Sequence, residues 1–338
     1  MKNNFANRTM TVFLSGLLIG CLSVRAQEKQ SNQPNLSPDE QKLVGSIMSA
    51  KDPGAKLNAA AELIKKHPKT SVRQRVAQNM ANQVANVQDN AQKLTLAQQL
   101  ETIFNDPAET DIIGPVVVEA YAGANQPDQA FAKGAQFLSH DPDALTLLVQ
   151  LASVGADEAK KQNGKFIPQS IQHTTHAIEL IEGDKRPVNT DDARWKEYKE
   201  QTLPQLYQTR AMLNFAKGDK AGAKADYIKA SQLNPAEAFN FIMLAALLND
   251  EYQDEGKQYQ SMPAGPARDQ ELKKVQTLLD SVIDAYAHAV ALSEGNAQLQ
   301  QVRQQYVQDL ETYYKYRHNG STEGMQPLID KYKAPAKP

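Results

Sequence analysis

The sequence is poor in cysteine and tryptophan, with one of each in 338 residues. Because a disulfide needs two cysteines, the chain cannot crosslink to itself, and metal sites built on paired cysteines are excluded. A formal net charge of −2 excludes the strongly basic surface typical of general nucleic-acid binders. Glycine-rich phosphate loops and the His-Glu-x-x-His and Gly-x-Ser-x-Gly patterns are missing too. The sequence therefore predicts a non-catalytic protein with no cofactor and no metal.

The one long apolar run lies in residues 1–26, which have the pattern of a secretory signal peptide. Lys2 and Arg8 precede a short apolar segment, and Val24-Arg25-Ala26 offers small residues before Gln27. The run is too short for a stable membrane span. We therefore expect an exported protein, periplasmic or secreted, with no membrane span.

The sequence is compatible with two alternative cleavage sites for the signal peptide. Cleavage after Ala26 would release a soluble chain without a thiol. Alternatively, Leu18-Ile19-Gly20-Cys21 resembles the lipobox of bacterial lipoproteins, in which the cysteine carries the lipid. Cleavage before Cys21 would anchor the chain to the outer membrane.

Helical periodicity dominates the rest of the chain. Residues 27–36 are polar and aperiodic and predict a disordered lead-in. From Ser37 to Glu182, apolar stripes at helical spacing alternate with Pro-containing breaks, which predicts an N-terminal set of helical hairpins. Within it, a polar connection is expected from Gly155 to Pro168. Residues 183–189 form a candidate linker, and a second set of helices is predicted at 187–332, followed by a tail at 333–338.

The clearest repeat lies between Pro204 and Pro235. A predicted helix up to Lys217 is followed by a Gly218-Asp219 turn and a second helix. On that second helix Ala223, Tyr227 and Ala230 share one face. Small and aromatic residues at these positions, closed by Asn-Pro, resemble a tetratricopeptide repeat, a pair of antiparallel helices in about 34 residues.

The resemblance has two departures. Arg210 stands where the family usually has leucine, and Asn214 where it usually has an aromatic residue. Because one hairpin cannot bury its apolar face alone, neighbouring hairpins must stack on it. The fold class implied is all-α, a solenoid of stacked helical hairpins, with an insertion at Asp250 to Asp269 in the later repeats.

The resemblance also implies a partner-binding surface. In tetratricopeptide proteins the first helix of each hairpin lines a concave face, where an extended peptide or a helix can bind. On this chain the corresponding positions are Gln205, Gln208, Met212, Phe215, Phe239, Ile242, Ala246 and Asn249. The alternative is that the insertion fills the groove and these residues pack internally.

Other polar and aromatic groups have simpler interpretations. His173 and His176 could share one helix face and hold a metal from one side, but no third ligand is evident, so ordinary surface residues are expected. His318 is expected in a solvated capping turn. Trp195, Tyr198 and Tyr207 are expected to pack between helices. A further tyrosine group, Tyr306, Tyr313, Tyr314 and Tyr316, predicts a core seam with hydroxyls at its edge.

Together these observations favour a protein-interaction scaffold of the bacterial cell envelope that binds a protein or peptide partner. The alternative functions are an envelope ligand- or glycan-binding module, or an accessory subunit of an enzyme complex. A structural lipoprotein tether is a third possibility, and it depends on lipidation of Cys21.

Overall fold

The computed structural model describes residues 36–187 and 190–333. The predicted leader, the lead-in through residue 35 and residues 334–338 of the tail lie outside these ranges. Every regular element within them is helical, which confirms the predicted all-α fold. The described residues divide into two compact units, 36–187 and 190–333.

Eight α-helices form the first unit. They are α1 (Pro38–Ser49), α2 (Pro53–Lys66), α3 (Arg73–Ala85), α4 (Asn90–Ile103), α5 (Thr110–Gly123), α6 (Pro127–Leu138), α7 (Leu145–Lys160) and α8 (Ile167–Glu182). Short 3₁₀ turns at Pro107–Glu109 and Gly164–Phe166 precede α5 and α8.

Local capping chemistry explains where the first helices begin. Ser37 forms a capping box with Glu40, whose carboxylate accepts the Ser37 backbone N–H at 2.9 Å. Asp52 and Asp89 accept the N–H groups of Ala55 and Gln92 at the starts of α2 and α4. Each such cap satisfies a backbone donor that the helix itself leaves unpaired, worth about 1 kcal/mol.

Packing in this unit follows the order of the helices along the chain. α2 contacts α1, α3 and α4, and α5 contacts α3, α4, α6 and α7. Small residues allow these approaches: Ala77, Ala97 and Ala120 are fully buried. α7 and α8 approach so closely that a Cβ on Gly155 would overlap the Ser170 hydroxyl oxygen. The predicted connection from Gly155 to Pro168 is therefore wrong, since α7 continues to Lys160 and Gly155 is a packing residue.

The second unit contains six α-helices: α9 (Asp192–Lys217), α10 (Lys220–Leu233), α11 (Ala238–Ser261), α12 (Pro266–Leu292), α13 (Gln300–Arg317) and α14 (Met325–Lys331). α9 packs on α10, and α11 on α12, as antiparallel hairpins. Gly218 ends α9 in the left-handed conformation at φ 90°, which glycine adopts without strain. Ala223, Tyr227 and Ala230 are fully buried, as the repeat pattern predicts.

α9 begins after a cap at Asp191 and runs through Pro204 into the repeat as one helix, which fits the Thr190-Asp191-Asp192 capping pattern in the sequence. One boundary in this unit differs from prediction: the expected break from Asp250 to Asp269 is wrong. α11 runs without interruption to Ser261 and α12 begins at Pro266, so the insertion is the extended end of one long hairpin.

Candidate partner-binding face

Four of the predicted partner-binding residues follow one another on α9 at intervals of about one turn. Gln205 is exposed, Gln208 and Phe215 are half-buried, and Met212 is only 2% exposed. The side chain of neither glutamine makes a hydrogen bond within the part of the chain that the structure describes. Gln205, Gln208 and Phe215, here called the α9 stripe, therefore remain available to another molecule.

The positions on α11 are mostly occupied by the protein itself. Phe239 and Ile242 are 7% and 4% exposed. The Phe239 ring packs edge-on against buried Tyr227, with ring centres 6.3 Å apart. Met212, Phe239 and Ile242 thus belong to the core of this unit, and their assignment to a partner-binding face is corrected for that reason.

Tyrosines of α13 cover the same side of α11. The Tyr306 hydroxyl donates to the backbone carbonyl of Ile242 at 3.1 Å, and the Tyr313 hydroxyl donates to the Asn249 side-chain oxygen. Ala246 and Asn249 remain half-exposed. The alternative of internal packing therefore holds for much of α11, although α13 rather than the insertion provides the covering side chains.

Arg210 and Asn214, the two residues that depart from the repeat pattern, both bind the carboxylate of Asp226. Arg210 donates to both oxygens of Asp226, from Nε at 2.9 Å and from Nη2 at 2.7 Å, and Asn214 donates to the same carboxylate at 3.2 Å. The guanidinium also lies 5.3 Å from the centre of the Tyr207 ring. A bidentate, partly buried ion pair thus ties α9 to α10 where a leucine and an aromatic residue usually pack.

The predicted aromatic group at the start of α9 is internal. Trp195 is 3% exposed and stacks on Tyr198 with ring centres 5.6 Å apart. Burial raises the pKa of Tyr198 to about 12. Both features fit packing rather than a binding anchor.

The second tyrosine group forms a cluster whose members differ from those that the sequence predicts. Tyr286 of α12 packs edge-on against Tyr306 and stacks on Tyr313, with ring centres 4.8 and 5.9 Å apart. Tyr252 of α11 meets Tyr313 edge-on at 5.6 Å. These four residues are here called the tyrosine cluster. Of the tyrosines predicted to form a seam, Tyr314 is buried but Tyr316 is 74% exposed.

Sequence reasoning missed the acid that lies within this cluster. Asp309 lies between Tyr306 and Tyr313 on the same face of α13. Its carboxylate accepts a hydrogen bond from Gln305 at 3.0 Å, and burial raises the pKa of Asp309 above its usual value. The signal was available as a Tyr-x-x-Asp-x-x-x-Tyr spacing, which places an acid between two aromatic rings on a helix.

His173, His176 and His318 stack on or hydrogen-bond to neighbouring side chains of this chain. His173 stacks on Phe131, and burial followed by the nearby His176 lowers the pKa of His173. His176 lies 2.8 Å from Asp143, and this hydrogen bond lowers the pKa of the Asp143 carboxyl. Within residues 36–187 and 190–333, no group of three or more His, Cys, Asp or Glu side chains is placed to hold a metal ion. His318 stacks on Tyr314 in the turn after α13.

None of the described helices combines the length and the apolar character needed to cross a bilayer. A comparison with profiles of known protein families gives no match, and neither does a comparison with curated protein sequences.

Solved structures do show similar arrangements of helices. PilF of Pseudomonas aeruginosa is 11% identical over 76% of this chain and 97% of its own, with a TM-score of 0.40. A tetratricopeptide repeat protein from Parabacteroides merdae is 10% identical over 87% of this chain and 98% of its own, with a TM-score of 0.41. The C-terminal part of a tetratricopeptide repeat-containing protein from Cytophaga hutchinsonii is 12% identical over 83% of this chain and 98% of its own, with a TM-score of 0.40.

Proposed function

We propose that this chain is a non-catalytic scaffold of the bacterial cell envelope that binds a protein partner on the α9 stripe. One observation carries the proposal. Gln205, Gln208 and Phe215 follow one another along the second half of α9, where most of the other side chains are buried, yet neither glutamine side chain has a hydrogen-bond partner among the described residues.

The chemistry of the stripe fits a polypeptide. Amide side chains can donate and accept hydrogen bonds, so they can pair with the backbone of an extended segment, while Phe215 offers an apolar contact beside them. Because α9 is fixed to α10 by the Arg210–Asp226 ion pair, the stripe is held in place before a partner arrives. A preformed surface of this kind loses little conformational entropy on binding.

The envelope location rests on residues 1–26 and remains part of the proposal. Mass spectrometry of the processed protein distinguishes its two forms. A chain that begins at Gln27 supports soluble release, and a lipid-modified Cys21 supports an outer-membrane anchor. A chain that retains residues 1–26 and stays in the cytoplasm would refute export.

The binding proposal is tested by capture from an envelope extract. The chain from Gln27 is compared with a Gln208→Glu/Phe215→Ala variant, and captured proteins are identified by mass spectrometry. A matched control is Gln99→Glu/Leu233→Ala, since both of these side chains are exposed and neither lies on α9.

We expect one protein to be retained by the wild type and the control and lost by the stripe variant. Equal recovery by all three would remove the stripe from the binding site. If no protein is enriched by any of them, the scaffold proposal fails and small-molecule ligand screening becomes the appropriate experiment.

A further inference from the structure

The exposed edge of the tyrosine cluster carries one acidic side chain, that of Asp309. Among the acidic residues of α11 and α13, only Asp309 has no cation within ion-pair distance of its carboxylate in the described part of the chain. The other carboxylates are paired: Asp250 with Lys220, Glu251 with Lys224, Asp254 with Lys257, Glu255 with Lys274, and Glu311 with Lys315.

Its surroundings make the missing cation significant. Asp309 is half-buried beside tyrosine rings and accepts one hydrogen bond, from the neutral amide of Gln305. A carboxylate in such a place loses hydration without gaining a compensating charge, and this costs stability. Burial is the main cause of the raised pKa of the Tyr286 hydroxyl, and the negative charges of Asp309 and Asp250 raise this pKa further. An incoming cation would neutralise this local negative potential.

Aromatic rings add a second attraction for a cation. Tyr313, about one turn from Asp309 on α13, and Tyr252 of α11 are both half-exposed, and their rings meet edge-on. The Tyr313 hydroxyl donates to Asn249 and accepts from the Gln253 amide at 3.0 Å, so its ring cannot rotate away freely. A cation over the face of such a ring is attracted by about 0.5–1 kcal/mol at an exposed site.

We propose that Asp309 and the rings of Tyr252 and Tyr313 bind an arginine side chain presented by a protein partner. Charge complementarity selects a basic group, and the combination of a carboxylate with aromatic rings selects guanidinium. Its plane stacks on a ring while its donors reach both oxygens of a carboxylate, which an ammonium cannot do as well. This site, on α11 and α13, is separate from the α9 stripe, so either proposal can fail without the other.

The test uses the whole chain from Gln27 onward and a defined probe. The probe is the blocked peptide acetyl-Gly-Gly-Arg-Gly-Gly-amide, and its control is the same peptide with citrulline, a neutral isostere of arginine. Binding is followed by NMR of chains labelled with ¹³C in the tyrosine rings. Tyr252→Phe and Tyr313→Phe variants assign the two signals of interest.

We expect the arginine peptide to shift both signals saturably and the citrulline peptide to leave them in place. Asp309→Asn, which keeps the shape of the side chain, should weaken the affinity about tenfold or more, as the loss of a charged hydrogen-bond acceptor predicts. Glu311→Gln removes a carboxylate two residues away that already has Lys315, and should bind the peptide like wild type.

Three results would overturn the proposal: no saturable shift in the wild-type chain, equal shifts with the citrulline peptide, or equal affinity for Asp309→Asn. The citrulline comparison needs no variant, so the proposal stays testable even if Asp309→Asn fails to fold. Capture of a partner through the α9 stripe has no bearing on any of these outcomes.

Discussion

Replacing Asp226 by alanine would leave the guanidinium of Arg210 in a partly buried position without its carboxylate. The two side chains are 20% and 9% exposed, and three hydrogen bonds converge on the acid. Removing one member of a buried ion pair typically costs 3–5 kcal/mol, because the remaining charge is left uncompensated. Since Arg210 keeps some contact with water, we expect about 3 kcal/mol, the lower end of that range.

The partner substitution completes a thermodynamic cycle. Arg210→Leu restores the residue usual in the tetratricopeptide pattern but leaves Asp226 buried with only Asn214, and we again expect a loss of about 3 kcal/mol. In the double variant neither charge is stranded. Its loss should therefore be about 3 kcal/mol rather than about 6, which corresponds to a coupling energy of roughly 3 kcal/mol.

Urea unfolding followed by tryptophan fluorescence measures these losses in the right unit, because the sole tryptophan, Trp195, lies on α9. Asp254→Ala is the control, since its pair with Lys257 is about 70% exposed and an exposed pair contributes less than about 1 kcal/mol. Additive losses in the cycle, with no coupling between Arg210 and Asp226, would refute the assignment of this ion pair as the link between α9 and α10.

Three further predictions concern packing and charge. Ala230→Trp should destabilise the second unit by about 1–3 kcal/mol or more through overpacking, whereas Ala225→Trp on the exposed side of the same helix should leave its urea midpoint nearly unchanged; equal midpoints would contradict the repeat register. Gly155→Ala should lower the melting temperature seen by circular dichroism, since its Cβ would collide with the serine of α8, while Gly45→Ala, which meets nothing within 4 Å, should not. Asp309→Asn should raise the melting temperature at pH 7. Burial raises the pKa of Asp309 from 3.8, so ionisation of this acid disfavours the folded state, and the penalty disappears as pH falls below its unfolded pKa; a difference between variant and wild type that grows towards acid pH would contradict this sign.

The local signals in the sequence were sufficient for most helix ends. Ser37 caps α1, Asp52 caps α2 at a Pro-containing break between apolar stripes, and Gly218 ends α9 in the conformation that glycine favours. These features depend on contacts between residues three or four positions apart, so a single sequence contains the information.

The end of α11 could not be predicted in the same way. Beyond Asp250 the segment has no apolar stripe, and its pattern therefore resembled a break. In the structure, support comes from the antiparallel helix: Lys274 of α12 lies 2.7 Å from Glu255 of α11. Hydrophobic periodicity does not register an ion pair between residues nineteen positions apart.

The candidate face was only partly predictable for a related reason. The helical period places Gln208 and Met212 on one side of α9 and Phe239 and Ile242 on one side of α11, but it does not reveal what covers each side. Coverage depends on α13, which lies sixty-four residues away where Tyr306 reaches Ile242. Asp309 was missed because a sequence does not show which carboxylates have a cation beside them in the folded chain.

The chain-order packing of α1 to α8 has a consequence for how that unit unfolds. Its helices make their larger contacts with the next helix and the next but one, so contact order is low and little loop entropy is lost before native contacts form. The cooperativity of unfolding in such an array depends on the strength of the interfaces between neighbouring helices. Amide hydrogens in α1, which has one large interface, should exchange with solvent sooner than those in α5, which has four. Unfolding of this unit would thus begin at α1, and α5 in the middle of the array would stay folded longer.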